Sequence, residues 1–279
     1  MNPPGRRLLT ALSVGLFWLL VWVLLARLVN RELLLPSPFQ VLRKLLELMR
    51  TGSFWASVSL SLLRVLGGIL SAVVLGVVLA VLTEKFRVLR ALLSPLMLLV
   101  RSTPVASFII LALIWLGRDI LPLFIAALMV LPVVWANVSA GIAGIDPMLK
   151  ELAAVYSLPP GRALRRIAVP SVLPHFRSAL RSALGLGWKA GIAAEVLTVP
   201  KQSIGKMIYE SKLYLETTEL FAWTLTVILL SLLIERVLLR FVLLPDRTPH
   251  GGASAPVARA KPSLKESCSV REPGENAHE

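Results

Sequence analysis

The chain has 279 residues, of which 56% are hydrophobic, and its formal net charge is +14. A soluble domain of this size cannot bury so much apolar surface, so the composition excludes an ordinary soluble protein. Several nearly uncharged apolar runs reach the roughly 18 residues that a helix needs to cross a bilayer. The composition therefore predicts an all-α integral membrane protein.

The positive charge lies within the membrane-spanning part of the chain. Residues 246–279 carry five basic and five acidic side chains, which cancel. Basic residues beside membrane spans anchor helices and set their orientation. The charge therefore does not indicate nucleic-acid binding, and we expect membrane lipid to be the surrounding partner.

Six membrane spans are predicted in chain order, and they define three parts of the chain. The spans cover residues 8–26, 58–82, 89–116, 120–145, 173–199 and 220–244. We place an N-terminal span and linker at 1–34 and a transmembrane domain at 35–244. The tail, 245–279, is rich in Gly, Ser, Pro and charge, and it is predicted to be disordered.

An amphipathic segment separates the first two spans. Apolar residues of Phe39–Met49 recur at helical spacing opposite Arg43, Lys44 and Glu47, just after a Pro-Ser-Pro sequence. This pattern predicts a short helix lying at the membrane surface.

Prolines and glycines mark the spans that face the interior of the bundle. Pro95 and Pro104 are both expected to break the third span, because proline removes a backbone donor and kinks a helix. The fifth span carries three glycines, which are expected to let neighbouring helices approach closely. These glycines are Gly185, Gly187 and Gly191.

The distribution of basic residues predicts the orientation. The basic loops at 83–90 and 146–181 lie on one side of a six-span bundle, together with both termini. The positive-inside rule places that side in the cytoplasm. The region 27–57 is also basic and lies on the opposite side, which weakens the asymmetry without reversing it.

A polar, basic segment at 147–171 separates the fourth and fifth spans. Its Asp146-Pro147 start predicts a short helix that carries Glu151, Ala153 and Ala154. Ile167 follows Glu151 by sixteen residues and Pro170 follows it by nineteen. Alanines allow close approach of a partner, and Glu151 offers it a charge. The alternative is an ordinary loop with cytoplasmic positive charge.

This spacing resembles the EAA loop of type I ABC importer permeases, in the nitrate/sulfonate/taurine-type branch of the binding-protein-dependent family. The resemblance covers residues 35–243. Supporting motifs occur in the family's order: LPSPFQVL at 35–42, RSTP at 101–104, IWLG at 114–117, AAEVL at 193–197, SIGKMI at 203–208 and LYLETTELFAWTL at 213–225.

The resemblance implies about six transmembrane helices in a bacterial plasma (inner) membrane, with a cytoplasmic loop that docks a separate ATPase. It also implies an extracytoplasmic solute-binding protein and a second permease copy, most often in a homodimer and less often in a heterodimer. The residues given a coupling role are Glu151, Ala153, Ala154, Ser157, Gly161, Ile167 and Pro170. One departure stands out, because the glycine expected six residues after Glu151 is Ser157.

Charged residues inside the predicted spans have two interpretations. Arg101, Lys189 and Glu195 lie where burial in hydrocarbon is costly without a partner or water. They line a pathway for an anionic solute, with Ser102, Thr103 and Asn137 as polar neighbours, or they serve structure, for example as a Lys189–Glu195 ion pair. Arg64, near the start of the second span, is expected to extend its charge to the interface.

Motifs for ATP hydrolysis or metal-dependent catalysis are missing from the sequence. It has no G-x-x-x-x-G-K-[ST] phosphate loop and no H-E-x-x-H. We therefore expect no enzymatic activity and no bound cofactor, with ATP used by a partner subunit. Two other functions remain open: a secondary transporter with Arg101, Lys189 and Glu195 as an ion relay, and a membrane scaffold. Secondary transporters often contain inverted repeats, and none is visible here.

Overall fold

A computed structural model describes residues 4–242, with the side chains of residues 13–237 and 240. The regular elements of this range are helical: α1 (Pro4–Val29), α2 (Pro38–Met49), α3 (Gly52–Lys85), α4 (Arg87–Ser102), α5 (Val105–Leu113), α6 (Leu121–Ala143), α7 (Pro147–Val155), α8 (Pro160–Ala163), a π-helical turn (Leu164–Ala168), α9 (Val169–Thr198), α10 (Ile204–Leu213) and α11 (Thr217–Val242). The predicted disordered tail lies outside the described residues.

The long apolar helices lie where membrane spans are predicted. Within the described range, α3, α6 and the Thr217–Val237 part of α11 are long and apolar enough to cross a membrane. The bent pair α4–α5 adds a fourth candidate. The apolar part of α1 described here is shorter, and α9 is 30 residues long but carries several charges. The all-α membrane fold is confirmed, whereas the count of six spans stays a prediction.

Helices α3, α6 and α9 pack against one another and form the core. A Cβ added to Gly68 would lie 2.2 Å from the carbonyl oxygen of Leu123. The backbones of α3 and α6 are therefore in direct contact at Gly68. Cβ atoms at Gly187 and Gly191 would lie 2.6 Å from side-chain atoms of Ile69 and Val65. The predicted close approach is confirmed at both positions of α9.

Gly185 is a different case, and the prediction for it is wrong. A Cβ there would meet nothing within 4 Å, because Gly185 lies on the face of α9 that points away from α3 and α6.

Only one of the two prolines of the third span breaks it. α4 continues through Pro95, so the prediction of a break there is wrong. The loss of the backbone N–H at this one proline is not enough to end the helix. The break comes at Pro104, where the preceding Thr103 has ψ 133°, the extended conformation that a following proline favours. As a result α4 and α5 meet at 104°.

The predicted amphipathic helix is α2. Its start is a capping box, in which the backbone N–H of Ser37 donates to the side chain of Gln40 at 2.8 Å. Val41 and Leu45 are buried, and Lys44 pairs with Glu219 of α11 at 3.0 Å. The hydrogen bond to Glu219 raises the pKa of Lys44. One face of α2 therefore packs on the protein, and its position at the membrane surface stays a prediction.

Candidate functional site

The segment between α6 and α9 begins with a well-capped helix that has no buried side chain. The carboxylate of Asp146 accepts a hydrogen bond from the backbone N–H of Met148 at 2.8 Å, and Pro147 occupies the first helical position. None of the nine residues of α7 is fully buried by the described part of the chain.

α7 presents an exposed apolar stripe. Met148, Leu152, Val155 and Tyr156 follow helical spacing along one side, and Val155 and Tyr156 are 80% and 71% exposed. Glu151 lies beside this stripe and is exposed as well. Ala153 is half-buried and Ala154 is exposed. Small and apolar side chains on an unpartnered helix suit contact with another protein.

The end of α7 explains how serine replaces the expected glycine. Ser157 has φ 48°, in the left-handed region that glycine usually occupies. Its backbone N–H donates to Ala154 at 3.0 Å, and the N–H of Leu158 donates to Ala153 at 2.9 Å. These two bonds form a Schellman motif, which requires a left-handed residue at this position. Ser157 thus adopts the backbone conformation that a glycine would take at this position, at a cost in backbone strain.

The other residues to which the family resemblance gives a coupling role lie between this turn and the first turn of α9. Gly161 is in α8, and a Cβ there would meet nothing within 4 Å, so it does not take over the role of the missing glycine. Ile167 lies in the π-helical turn, and its carbonyl accepts a hydrogen bond from the Ser171 hydroxyl at 2.8 Å. Pro170 lies in the first turn of α9.

The predicted pathway residues of the third span lie at the elbow between α4 and α5. The Arg101 guanidinium donates to the carbonyl of Pro132 in α6 at 2.5 Å, and Arg101 remains exposed. The hydroxyls of Ser102 and Thr103 both donate to the carbonyl of Leu99. The elbow is therefore held to α6 by Arg101, and its hydroxyl oxygens keep free acceptor capacity.

Lys189 lies on an exposed stripe of α9 that is poor in large apolar side chains. The stripe contains Ser178, Ser182, Gly185, Lys189 and Ala193, with Leu186 and Leu197 as its two large apolar members. The exposed face of α3 is instead aliphatic, with Leu63, Leu70 and Val74 among its members. Hydrocarbon chains match the face of α3, whereas the α9 stripe suits water or a second protein chain.

The elbow ends at the start of α5, which packs against α9. Val100 and Ala190, which directly adjoin Arg101 and Lys189 in sequence, belong to one apolar cluster.

Asn137 is half-buried in α6, where its side-chain amide donates to the carbonyl of Val133 at 2.8 Å.

Glu195 does not share the exposed stripe with Lys189. It is fully buried, and its carboxylate accepts hydrogen bonds from the Ser61 hydroxyl at 2.7 Å and the Gly205 N–H at 3.2 Å. Its ionic partner is Arg64, at 3.7 Å. The prediction of a Lys189–Glu195 ion pair is therefore wrong. Glu195 is also too deeply buried to contact a solute on the exposed face of α9.

Arg64 contacts three separated positions of the chain, and the expectation that it extends its charge to the membrane interface stays a prediction. Besides Glu195 it contacts the carbonyl of Gln202 at 2.6 Å and the carboxylate of Asp119 at 3.5 Å. Asp119 also accepts from the backbone N–H of Lys201 at 3.2 Å. The sequence alone did not predict this network, because its members come from three distant segments of the chain, at 61–64, 119 and 195–205. The spacing of Ser61 and Arg64 on one helical face is the only local signal.

Comparison with known proteins identifies the chain. Residues 72–245 match the family described as binding-protein-dependent transport system inner membrane component. The chain belongs to this family. The family resemblance inferred from the 147–171 segment and its accompanying motifs is thereby confirmed.

Curated relatives agree with this family. The chain is 27% identical over 221 residues to a probable ABC transporter permease protein of Brucella melitensis, covering 78% of this chain and 87% of the relative. It is 26% identical over 242 residues to the taurine transport system permease protein TauC of Escherichia coli, covering 84% and 87%. It is 30% identical over 164 residues to the bicarbonate transport system permease protein CmpB of Synechococcus elongatus, covering 57% and 58%.

The chain is thus the transmembrane permease subunit of an ABC importer and a multi-pass membrane protein. Its family works with an ATPase and with a binding protein, which favours this function over the secondary transporter and the scaffold.

Proposed function

We propose that α7 and its Schellman turn form the docking surface for the ATPase of this importer. The observation that carries the proposal is the apolar stripe of α7, which no described part of the chain covers. A short helix with one apolar side is well suited to a groove on a partner protein. Glu151 beside the stripe supplies a charge that selects the orientation of docking.

Motion at α7 reaches the bundle through a nearly continuous helical path. From Pro160 the chain runs through α8 and the π-helical turn into α9 without leaving helical structure until Thr198. A displacement of the docking surface therefore acts on α9, which carries Lys189. Binding of ATP by the partner favours one of two bundle arrangements through contacts that differ between them.

The exposed stripe of α9 and the α4–α5 elbow line the solute pathway in this proposal, with a second copy of the chain opposite. Two copies would present Arg101 and Lys189 twice to the same pathway, which attracts a small anion. The names of two relatives support this, since bicarbonate is an anion and taurine carries a sulfonate group. We propose an importer of a small anionic solute built as a homodimer.

The orientation follows from the docking surface. α7 and both termini lie on the cytoplasmic side, and the ends of α3 and α9 that Arg64 joins lie on the outer side, where a solute-binding protein delivers its ligand. The basic residues of 146–181 support this assignment.

Co-purification tests the docking surface. The full-length permease, tagged and purified from its native membrane, is expected to carry an ATPase identifiable by its phosphate-loop peptide in mass spectrometry. The double variant Glu151→Lys with Ala154→Trp is expected to lose that ATPase while inserting normally. Glu47→Lys is the matched control, because it makes the same charge change at an exposed site of α2. Equal ATPase recovery with the double variant and the control would overturn the assignment.

A further inference from the structure

An apolar cavity of about 420 Å³ lies between the ends of α3 and α6 and the start of α9, next to the π-helical turn. Its walls are hydrocarbon side chains from all of these elements. Six of them are Val77, Val81, Ile142, Leu164, Val172 and Phe176.

The chemistry of this wall selects an apolar occupant. A buried water needs two or more polar partners, and the side chains that line this cavity offer none. Its volume lies within the roughly 300–1,000 Å³ typical of ligand sites. Val81, Leu164 and Val169 line the cavity and are each at least half exposed, so it opens to the surroundings of the helices. In a membrane those surroundings are lipid chains.

Two basic residues follow lining residues of the cavity closely in sequence. Lys85 follows Val81 by four residues, which places it one turn further along the same face of α3. Arg165 directly follows Leu164, and both cations are exposed, with the Lys85 ammonium 5.5 Å from the centroid of the Phe86 ring. Asp146 directly follows the lining residue Ile145, and its carboxylate is engaged in capping α7. The adjacent Glu84 is already paired with Arg90 at 3.0 Å. Positive charge at the end of an apolar cavity complements a phosphate attached to an acyl chain.

We propose that this cavity binds one acyl chain of an anionic phospholipid from the leaflet on the α7 side, with the phosphate near Lys85 and Arg165. The flexible chain fills the irregular apolar space, and the headgroup lies at the depth where α3 and α6 end. The apolar side chains that line the cavity do not suit a polar solute. We therefore treat this site as separate from the proposed pathway face of α9.

Photo-crosslinking from inside the cavity tests the proposal. Full-length protein with a photoreactive phenylalanine analogue at Val172 is reconstituted in bilayers of equal phosphatidylglycerol and phosphatidylcholine. The expected product is one permease chain carrying phosphatidylglycerol, enriched over phosphatidylcholine. A product containing two permease chains would show that a second copy fills the cavity. That result, or no cross-link at all, overturns the proposal.

Charge variants provide the second measurement and leave the cavity intact. Lys85→Gln is expected to lower the enrichment of phosphatidylglycerol by about fivefold, the effect of removing about 1 kcal/mol of attraction per basic residue at a membrane surface. Lys212→Gln, at an exposed lysine of α10, is expected to leave the enrichment unchanged. Cross-linking without headgroup preference, or a preference that Lys85→Gln does not alter, contradicts the proposed site.

The position of the cavity has a consequence that rests on the proposed docking function. Leu164 and Ala168 of the π-helical turn line the cavity, so a bound acyl chain would contact this turn. In the proposed function, α7 acts on α9 through the same turn. Phosphatidylglycerol is therefore expected to raise transport-coupled ATP hydrolysis. If cross-linking succeeds and this stimulation is absent, the lipid site stands and the proposed path of coupling fails.

Discussion

The hydroxyl of Ser61 in α3 donates a hydrogen bond of 2.7 Å to the buried carboxylate of Glu195 in α9, across 134 positions of sequence. The same hydroxyl oxygen accepts from the backbone N–H of Ile204 at 2.9 Å. One serine thus links α3, α9 and the start of α10. The close fit at this point leaves no space for a side chain at Gly205, whose Cβ would lie 2.3 Å from that of Glu195.

Removing the ionic partner of Glu195 is expected to destabilise the fold strongly. Arg64→Met leaves a fully buried carboxylate without its cation, and breaking such a pair typically costs about 3–5 kcal/mol. Thermal unfolding of the purified protein in detergent measures the loss. The double variant Arg64→Met with Glu195→Gln is expected to recover part of it, because the unpaired charge is gone. Arg43→Met, at an exposed pair on α2, is the control, and equal unfolding temperatures for it and Arg64→Met would contradict the role of Arg64.

Restoring glycine at the end of α7 is expected to stabilise the turn. Ser157→Gly removes the cost of a left-handed residue with a side chain, about 1 kcal/mol. The amide of Leu158, which closes the Schellman motif, should then exchange with deuterium about fivefold more slowly. Ser182→Gly, in the interior of α9, is expected to lower stability, because glycine weakens a helix interior. Faster exchange at Leu158 in Ser157→Gly would be inconsistent with this account.

Neutralising the cations of the proposed pathway face is expected to weaken transport and leave assembly intact. Arg101→Ala and Lys189→Ala should each raise the KM for an anionic solute by at least about fivefold, since one charge at about 4 Å in water contributes about 1 kcal/mol. Lys189→Arg retains the charge and should stay close to the parent protein. Uptake by vesicles containing the full transporter gives KM, and ATPase co-purification reports assembly. Unchanged uptake by Lys189→Ala would remove this residue from the pathway.

Two adjacent glycines of α3 offer a matched test of helix packing. Gly68→Ala forces a methyl group against the backbone of Leu123 and is expected to cost about 1–3 kcal/mol. At Gly67 the nearest neighbouring atom lies 3.7 Å from an added Cβ, so Gly67→Ala is expected to be neutral or slightly stabilising. Thermal unfolding distinguishes the two variants. Similar unfolding temperatures would contradict the close approach of α3 and α6.

Local patterns in the sequence were sufficient to predict the long helices and the short helix α7. The Asp146-Pro147 start and the spacing from Glu151 to Pro170 predicted α7 and its family, because caps and motif spacings depend on residues close together in the chain. The apolar runs predicted the long helices for the same reason. The character of the turn at Ser157 needed the backbone angles, since serine alone does not reveal a left-handed residue.

Tertiary structure alone decided which charges serve the fold and which remain exposed. Arg64, Lys189 and Glu195 look alike in sequence, as charges within apolar runs. Packing of α3 against α9 brings Arg64 and Ser61 onto Glu195, while the rotation of α9 turns Lys189 and Gly185 to the outside. Composition and periodicity specify which helices form, whereas pairing across more than a hundred residues depends on how those helices are rotated and placed, and no local pattern contains that information.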